Sequence, residues 1–119
     1  MRVLTPQIHR GLDYLTVIIF LLAPSILGFS GLSAVLARIL AFVHLIMTSL
    51  TAFPPSTSKI ISFHLHGWVE RIVGPVLVVL SFVPGIARDT VSMLFFLIMG
   101  IVIVGVGFLT DYAPQKTPQ

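Results

Sequence analysis

Long apolar stretches separated by short polar punctuation run through the whole chain. Four of them, residues 12–29, 32–53, 67–83 and 91–109, approach or reach the ~20 mostly apolar residues that a helix needs to cross a bilayer core. Gly28 and Gly31 mark the first connection and Pro84-Gly85 the last, where glycine and proline break regular structure. The middle connection, residues 54–66, is the long one and opens at Phe53-Pro54-Pro55-Ser56. The tail after Tyr112 is polar, contains proline and is expected to fray. Thr5-Pro6 reads as a helix cap followed by proline at the first helical position, so the first helix is expected to begin near Pro6. Ser62 occupies the matching cap position before the third helix. Pro24 and Pro75 interrupt the first and third helices and are expected to bend them.

The scarce polar residues repeat. Arg2, Thr5, His9 and Asp13 recur as Lys59, Ser62, His66 and Glu70 at a constant offset of 57 residues. Leu50-Thr51-Ala52-Phe53 is echoed by Leu109-Thr110-Asp111-Tyr112. In so apolar a chain only polar matches carry weight, and they point to a duplicated unit. The first copy spans roughly residues 2–55 and the second roughly 59–114. The predicted architecture is an all-α, four-helix transmembrane bundle. It forms a single membrane domain over residues 1–119, built from two duplicated helical hairpins in parallel orientation.

Composition agrees with this reading. The chain is 56% hydrophobic and 9% charged, with mean hydropathy +1.07, too few charges to cover a water-soluble domain of 119 residues. No cysteine is present, which excludes disulfides and thiolate metal sites. Lys and Arg form no run that would grip nucleic acid, so they serve as topology markers. Arg2, Arg10, Lys59, Arg71 and Lys116 fall at one end of a four-span arrangement, with Arg88 and Arg38 toward the other. Both termini are therefore expected in the cytoplasm, with the chain in a bacterial inner membrane. Residues 1–37 have the basic start and apolar core of a signal peptide, but cleavage there would remove most of the first hairpin.

The stretches Ile8-His9-Arg10-Gly11-Leu12-Asp13-Tyr14 and Leu65-His66-Gly67-Trp68-Val69-Glu70, each opening a two-helix unit, resemble the small bacterial membrane proteins with SPW repeats. The regions that match the family's Ser-Pro-Trp signature are Ala23-Pro24-Ser25 and Ser81-Phe82-Val83-Pro84. The resemblance implies the repeated membrane fold and brings no activity with it.

The candidate chemistry lies in polar residues within apolar segments. His9/Asp13 and His66/Glu70 each share a helix face. Should the hairpins pack about a pseudo-twofold axis, the four groups could converge, as ligands for zinc, manganese or iron or as a proton relay. The simpler expectation is structural: each His bonds its own acid or nearby backbone and faces the headgroups. Arg71 is expected to snorkel to lipid phosphate or to pair with Asp13. Arg38, ~9 Å into its helix, either snorkels or pairs with Asp89. His44 and Thr48 are expected to bond each other or a neighbouring helix. A haem would need a second His at the depth of His44, and the fourth helix has Ile101 to Ile103 there. Ala34, Ala37 and Ala41, with Gly100, Gly105 and Gly107, allow close helix approach.

No Ser-His-Asp set, P-loop, Cys-His spacing or Rossmann glycine pattern occurs. The chain is therefore expected not to be an enzyme, and no catalytic residue, metal or cofactor is assigned. The favoured reading is a non-catalytic structural or interaction module. Its partners are the lipid bilayer and either a second copy or a larger membrane assembly, with no nucleic acid. The alternatives are a small proton, ion or solute channel or transporter using the His/acid pairs, and a metal- or haem-binding redox subunit.

Overall fold

A computed structural model of the chain describes residues 2–56 and 59–113. The polar tail at 114–119, including Lys116, lies outside the described residues. Helix α1 (Pro6–Leu27) starts where the cap reading placed it: the Thr5 hydroxyl accepts the Ile8 N–H, and Pro6 occupies the first turn. It ends at Gly28, whose φ of 77° is left-handed and whose N–H bonds the Pro24 carbonyl. Glycine takes that backbone shape without the Cβ clash other residues meet. Helix α2 (Gly31–Leu50) returns and runs into a short strand β1 (Thr51–Ala52). Strand β2 (Ile61–Ser62) then leads into α3 (Phe63–Leu80), capped by the Ser62 hydroxyl on the Leu65 N–H. The turn expected at Pro84-Gly85 is a single helical turn, α4 (Pro84–Ala87), and α5 (Thr90–Leu109) closes the bundle. Both capped helices begin several residues before their hydrophobic windows. Caps, not hydropathy, set their starts, because a cap satisfies the otherwise unpaired N–H groups of the first turn.

α1 packs on α2 and α3 on α5, giving two hairpins. α3 and α5 meet backbone to backbone. A Cβ on Gly100 would lie 2.9 Å from the Gly74 carbonyl oxygen, and one on Gly74 would lie 2.7 Å from Val104. Ala37 and Ala41 are fully buried in the same apolar core as Phe20, Leu77 and Phe96. Ile18, Ile26, Phe42, Ile46, Ile72, Val79 and Ile98 are exposed on the outside. All four long helices are long and apolar enough to cross a membrane, and their apolar outer surfaces are those of an integral membrane protein.

At one end the hairpins are stitched reciprocally. Thr51 and Ala52, leaving the first hairpin, pair in parallel with Ile61 and Ser62, entering the second. Leu4, entering the first, pairs in parallel with Thr110, leaving the second, through Leu4 N–H to Leu109 O and Asp111 N–H to Leu4 O. The starts of α1 and α3 therefore share an end with the finishes of α2 and α5, so the hairpins point the same way.

Candidate functional site

The caps fix the phase of the polar residues. Counting from Thr5 or from Ser62, the His comes one turn in and the acid one turn later. Both pairs thus enter the bundle at the same level, each on the buried face of its helix.

They converge, and each His contacts both acids. His9 Nε2 lies 3.2 Å from Asp13 Oδ1 and 3.0 Å from Glu70 Oε2. His66 Nε2 lies 3.1 Å from Asp13 Oδ2 and 3.2 Å from Glu70 Oε1. The two carboxylates therefore bridge the two imidazoles across the hairpin boundary. His44, from α2, adds a third imidazole, with Nε2 3.4 Å from Asp13 Oδ1.

The far side of each ring is held by a threonine of the opposite hairpin. His9 Nδ1 is 2.7 Å from Thr110 Oγ1, and His66 Nδ1 is 2.8 Å from Thr51 Oγ1. Each hydroxyl donates to a carbonyl one turn back, Val106 O at 2.6 Å and Met47 O at 2.7 Å. A hydroxyl has one hydrogen, so each threonine can only accept from its histidine, and both Nδ1 atoms carry hydrogen. The Nε2 atoms are thereby turned to the carboxylates. Tyr112 adds a hydroxyl donor 3.3 Å from Glu70 Oε2. Its burial, followed by the nearby Glu70 charge, raises the phenol above its ordinary range and keeps it neutral. Gly67 makes room for that ring: a Cβ there would sit 2.5 Å from Tyr112 Cε1.

The cluster is enclosed. Phe53, Phe63 and Tyr112 form a compact aromatic group at the end of the bundle, with Phe63 and Tyr112 centroids 4.8 Å apart. Phe63 lies edge-on to His9 at 5.4 Å, and Phe53 lies 5.6 Å from His66. On the inner side the core is apolar: Val17, Phe20, Ala41, Leu77 and Ile103. His9 and His66 are 0% exposed, Asp13 2% and Glu70 4%. This corrects the expectation that the pairs face headgroups; each His does contact its own acid, as expected, and contacts the acid of the other hairpin as well. Only the packing of one hairpin on the other turns their faces inward.

The other expected residues divide. His44 was expected to have no second His at its depth, yet its ring lies 6.1 Å from that of His66, and it faces the carboxylates instead of Thr48. Thr48 is buried, and its hydroxyl has no hydrogen-bond partner among the described residues. Arg38 bonds Ser25 Oγ at 3.2 Å rather than Asp89. Asp89 caps α5 by accepting the Val91 N–H. Arg71 does not pair with Asp13; its guanidinium lies 5.1 Å from the ring centroids of both Trp68 and Tyr112. Thr51, Thr110, Phe53 and Tyr112 enter the site without having been expected there. Their signal in the chain is the repeated Leu-Thr-x-aromatic ending of each hairpin.

Chemically, two buried carboxylates require about two positive charges nearby, because an isolated charge in an apolar setting is very costly. Two imidazolium ions or one divalent cation would supply them. Comparison with protein-family models, curated proteins and solved structures gives no match in any of the three.

Proposed function

We propose that this chain is a non-catalytic module of a bacterial cytoplasmic membrane, with both termini inside. In this reading two copies of an ancestral hairpin are locked together by the buried imidazole–carboxylate cluster. The observation that carries it is the enclosure of that cluster, by three aromatic rings at the end of the bundle and by apolar core on the inner side. A conducting pore needs polar groups at successive depths. Here the interior passes from His44 through Ala41, Leu77 and Ile103 without one. The reciprocal pairing of Thr110 with His9 and of Thr51 with His66 supports duplication, since equivalent residues make equivalent contacts. Arg2, Arg10 and Lys59 near the stitched end support the orientation, and the resemblance to SPW-repeat proteins agrees with the duplicated-hairpin architecture.

A proton or ion pathway draws on one observation. His44 is partly exposed and borders an apolar cleft of about 60 Å³ with Thr16, Leu40, Val43, Met47 and Val69. Flux through purified protein in liposomes, read with a pH-sensitive dye under an imposed gradient, separates the two. The module reading expects leakage equal to that of protein-free liposomes. Flux that falls on replacing His44 with Ala rejects it.

A further inference from the structure

We propose that His9, Asp13, His66 and Glu70 bind one divalent first-row transition-metal ion, with His44 positioned as a further ligand. One ligand atom from each of the first four residues lies within 4.8 Å of all the others. The imidazole-to-carboxylate separations are 3.0 to 3.2 Å. Ligands about 2.1 Å from a metal stand about 3.0 Å apart when adjacent in an octahedron and about 3.4 Å apart in a tetrahedron. Each imidazole is thus already spaced from one oxygen of each carboxylate as a neighbour in a coordination sphere, and the set needs only a small contraction from its 4.8 Å span to close on one ion.

The direction of the ring nitrogens argues for an ion rather than for simple ion pairs. Although close to carboxylate oxygens, His9 Nε2 and His66 Nε2 make no aligned hydrogen bond, and neither do Asp13 Oδ2 and His44 Nε2. All are buried. The lone pairs of His9 Nε2 and His66 Nε2 are directed by partners behind the rings, since their Nδ1–H groups are committed to Thr110 and Thr51. A histidine that ligates through one nitrogen and donates its other N–H to a fixed oxygen is the usual arrangement around protein-bound metals. Tyr112 does the corresponding service for Glu70.

Charge is compatible with an ion. A dication, two carboxylates and neutral imidazoles sum to zero, as two imidazolium ions with the carboxylates also do, and neutrality suits a site walled by aromatic and aliphatic side chains. The mixed nitrogen and oxygen donors select zinc, iron or manganese over magnesium or calcium, which prefer oxygen alone, and over copper(I), which prefers sulfur. The inference goes beyond the module reading and is independent of whether the bundle conducts.

The test uses the full chain purified in detergent, stripped with chelator and reloaded separately with Zn²⁺ and Co²⁺. Bound metal is counted by mass spectrometry, and Co²⁺ is followed by its visible absorption. The expected result is one metal per chain, reduced below about a tenth of an equivalent by D13N/E70Q and unchanged by H64A, since His64 is exposed and its Nε2 accepts the Trp68 indole N–H. Thr51→Val and Thr110→Val should remain folded and weaken binding about 10–100-fold. Substoichiometric binding by the folded wild-type protein overturns the proposal, as does full binding by the folded D13N/E70Q variant. Should that variant fail to fold, the threonine variants decide: unchanged affinity overturns the proposal, and weakened affinity upholds it. Flux in liposomes does not alter the metal count, so failure of the module reading is separable.

Discussion

Thr110 Oγ1 stands 2.7 Å from His9 Nδ1, although the two residues are 101 positions apart in the chain. The last turn of the second hairpin thus orients a ring at the start of the first. Thr51 does the same for His66. The bundle end is therefore a cross-brace, and cutting either brace should be felt at both hairpins.

Replacing Thr110 with Val keeps the side-chain volume and leaves a buried imidazole N–H unpaired. Such a loss typically costs about 1–3 kcal/mol. Thermal unfolding of the metal-free protein in detergent should show a lower midpoint for T110V and T51V alike. A midpoint unchanged for both would mean that the braces contribute nothing to stability.

The contact of α3 with α5 makes a second prediction. Gly100→Ala places a Cβ against the Gly74 carbonyl and the Val78 backbone, while Gly105→Ala meets nothing within 4 Å. Overpacking of a tight site typically costs about 1–3 kcal/mol, and alanine in an open helical position is neutral or better. Comparison of the two variants by thermal unfolding should therefore show loss for G100A alone.

Alkaline pH tests Tyr112. Its phenol is raised above the ordinary value near 10 by burial and by Glu70. The folded protein then keeps a proton that the unfolded chain has lost, so stability is whole below that ordinary value and declines as pH rises above it. Replacing Tyr112 with Phe should flatten this decline in a denaturation series from neutral to strongly alkaline pH. An equally steep decline in Y112F would assign it to another group.

Acid tests the metal. Ligating imidazoles must be neutral and carboxylates ionised, so protons compete with the ion and binding releases them. Zn²⁺ retention measured after dialysis at a series of pH values should fall as the solution is acidified, and reloading at neutral pH should restore it. Retention that does not change with pH would place the ion on other ligands.

Topology offers a separate check. Reporter fusions after Gln119 and next to Arg88 should report opposite sides of the membrane, the first cytoplasmic. Finding both reporters on the same side would reject the single span between them, and with it the four-span arrangement.

The sequence alone determined the elements. Runs of apolar residues long enough to span a bilayer, the caps Thr5 and Ser62, and the breaks at Gly28 and Pro84 all act through nearby residues, so they are readable along the chain. The spacing of His9 to Asp13 and of His66 to Glu70 placed each pair on one helix face for the same reason. What a local pattern cannot carry is the direction in which that face turns. The pairing of Leu4 with Thr110 and of Thr51 with Ile61 sets the two hairpins in register. That register turned both faces inward, brought each imidazole to the opposite acid as well as its own, and swung His44 toward Asp13. It also gave the roles of Thr51, Thr110 and Tyr112. Convergence of these groups depends on contacts between residues up to 101 positions apart, and only packing of the whole bundle decides which polar atoms share a buried site.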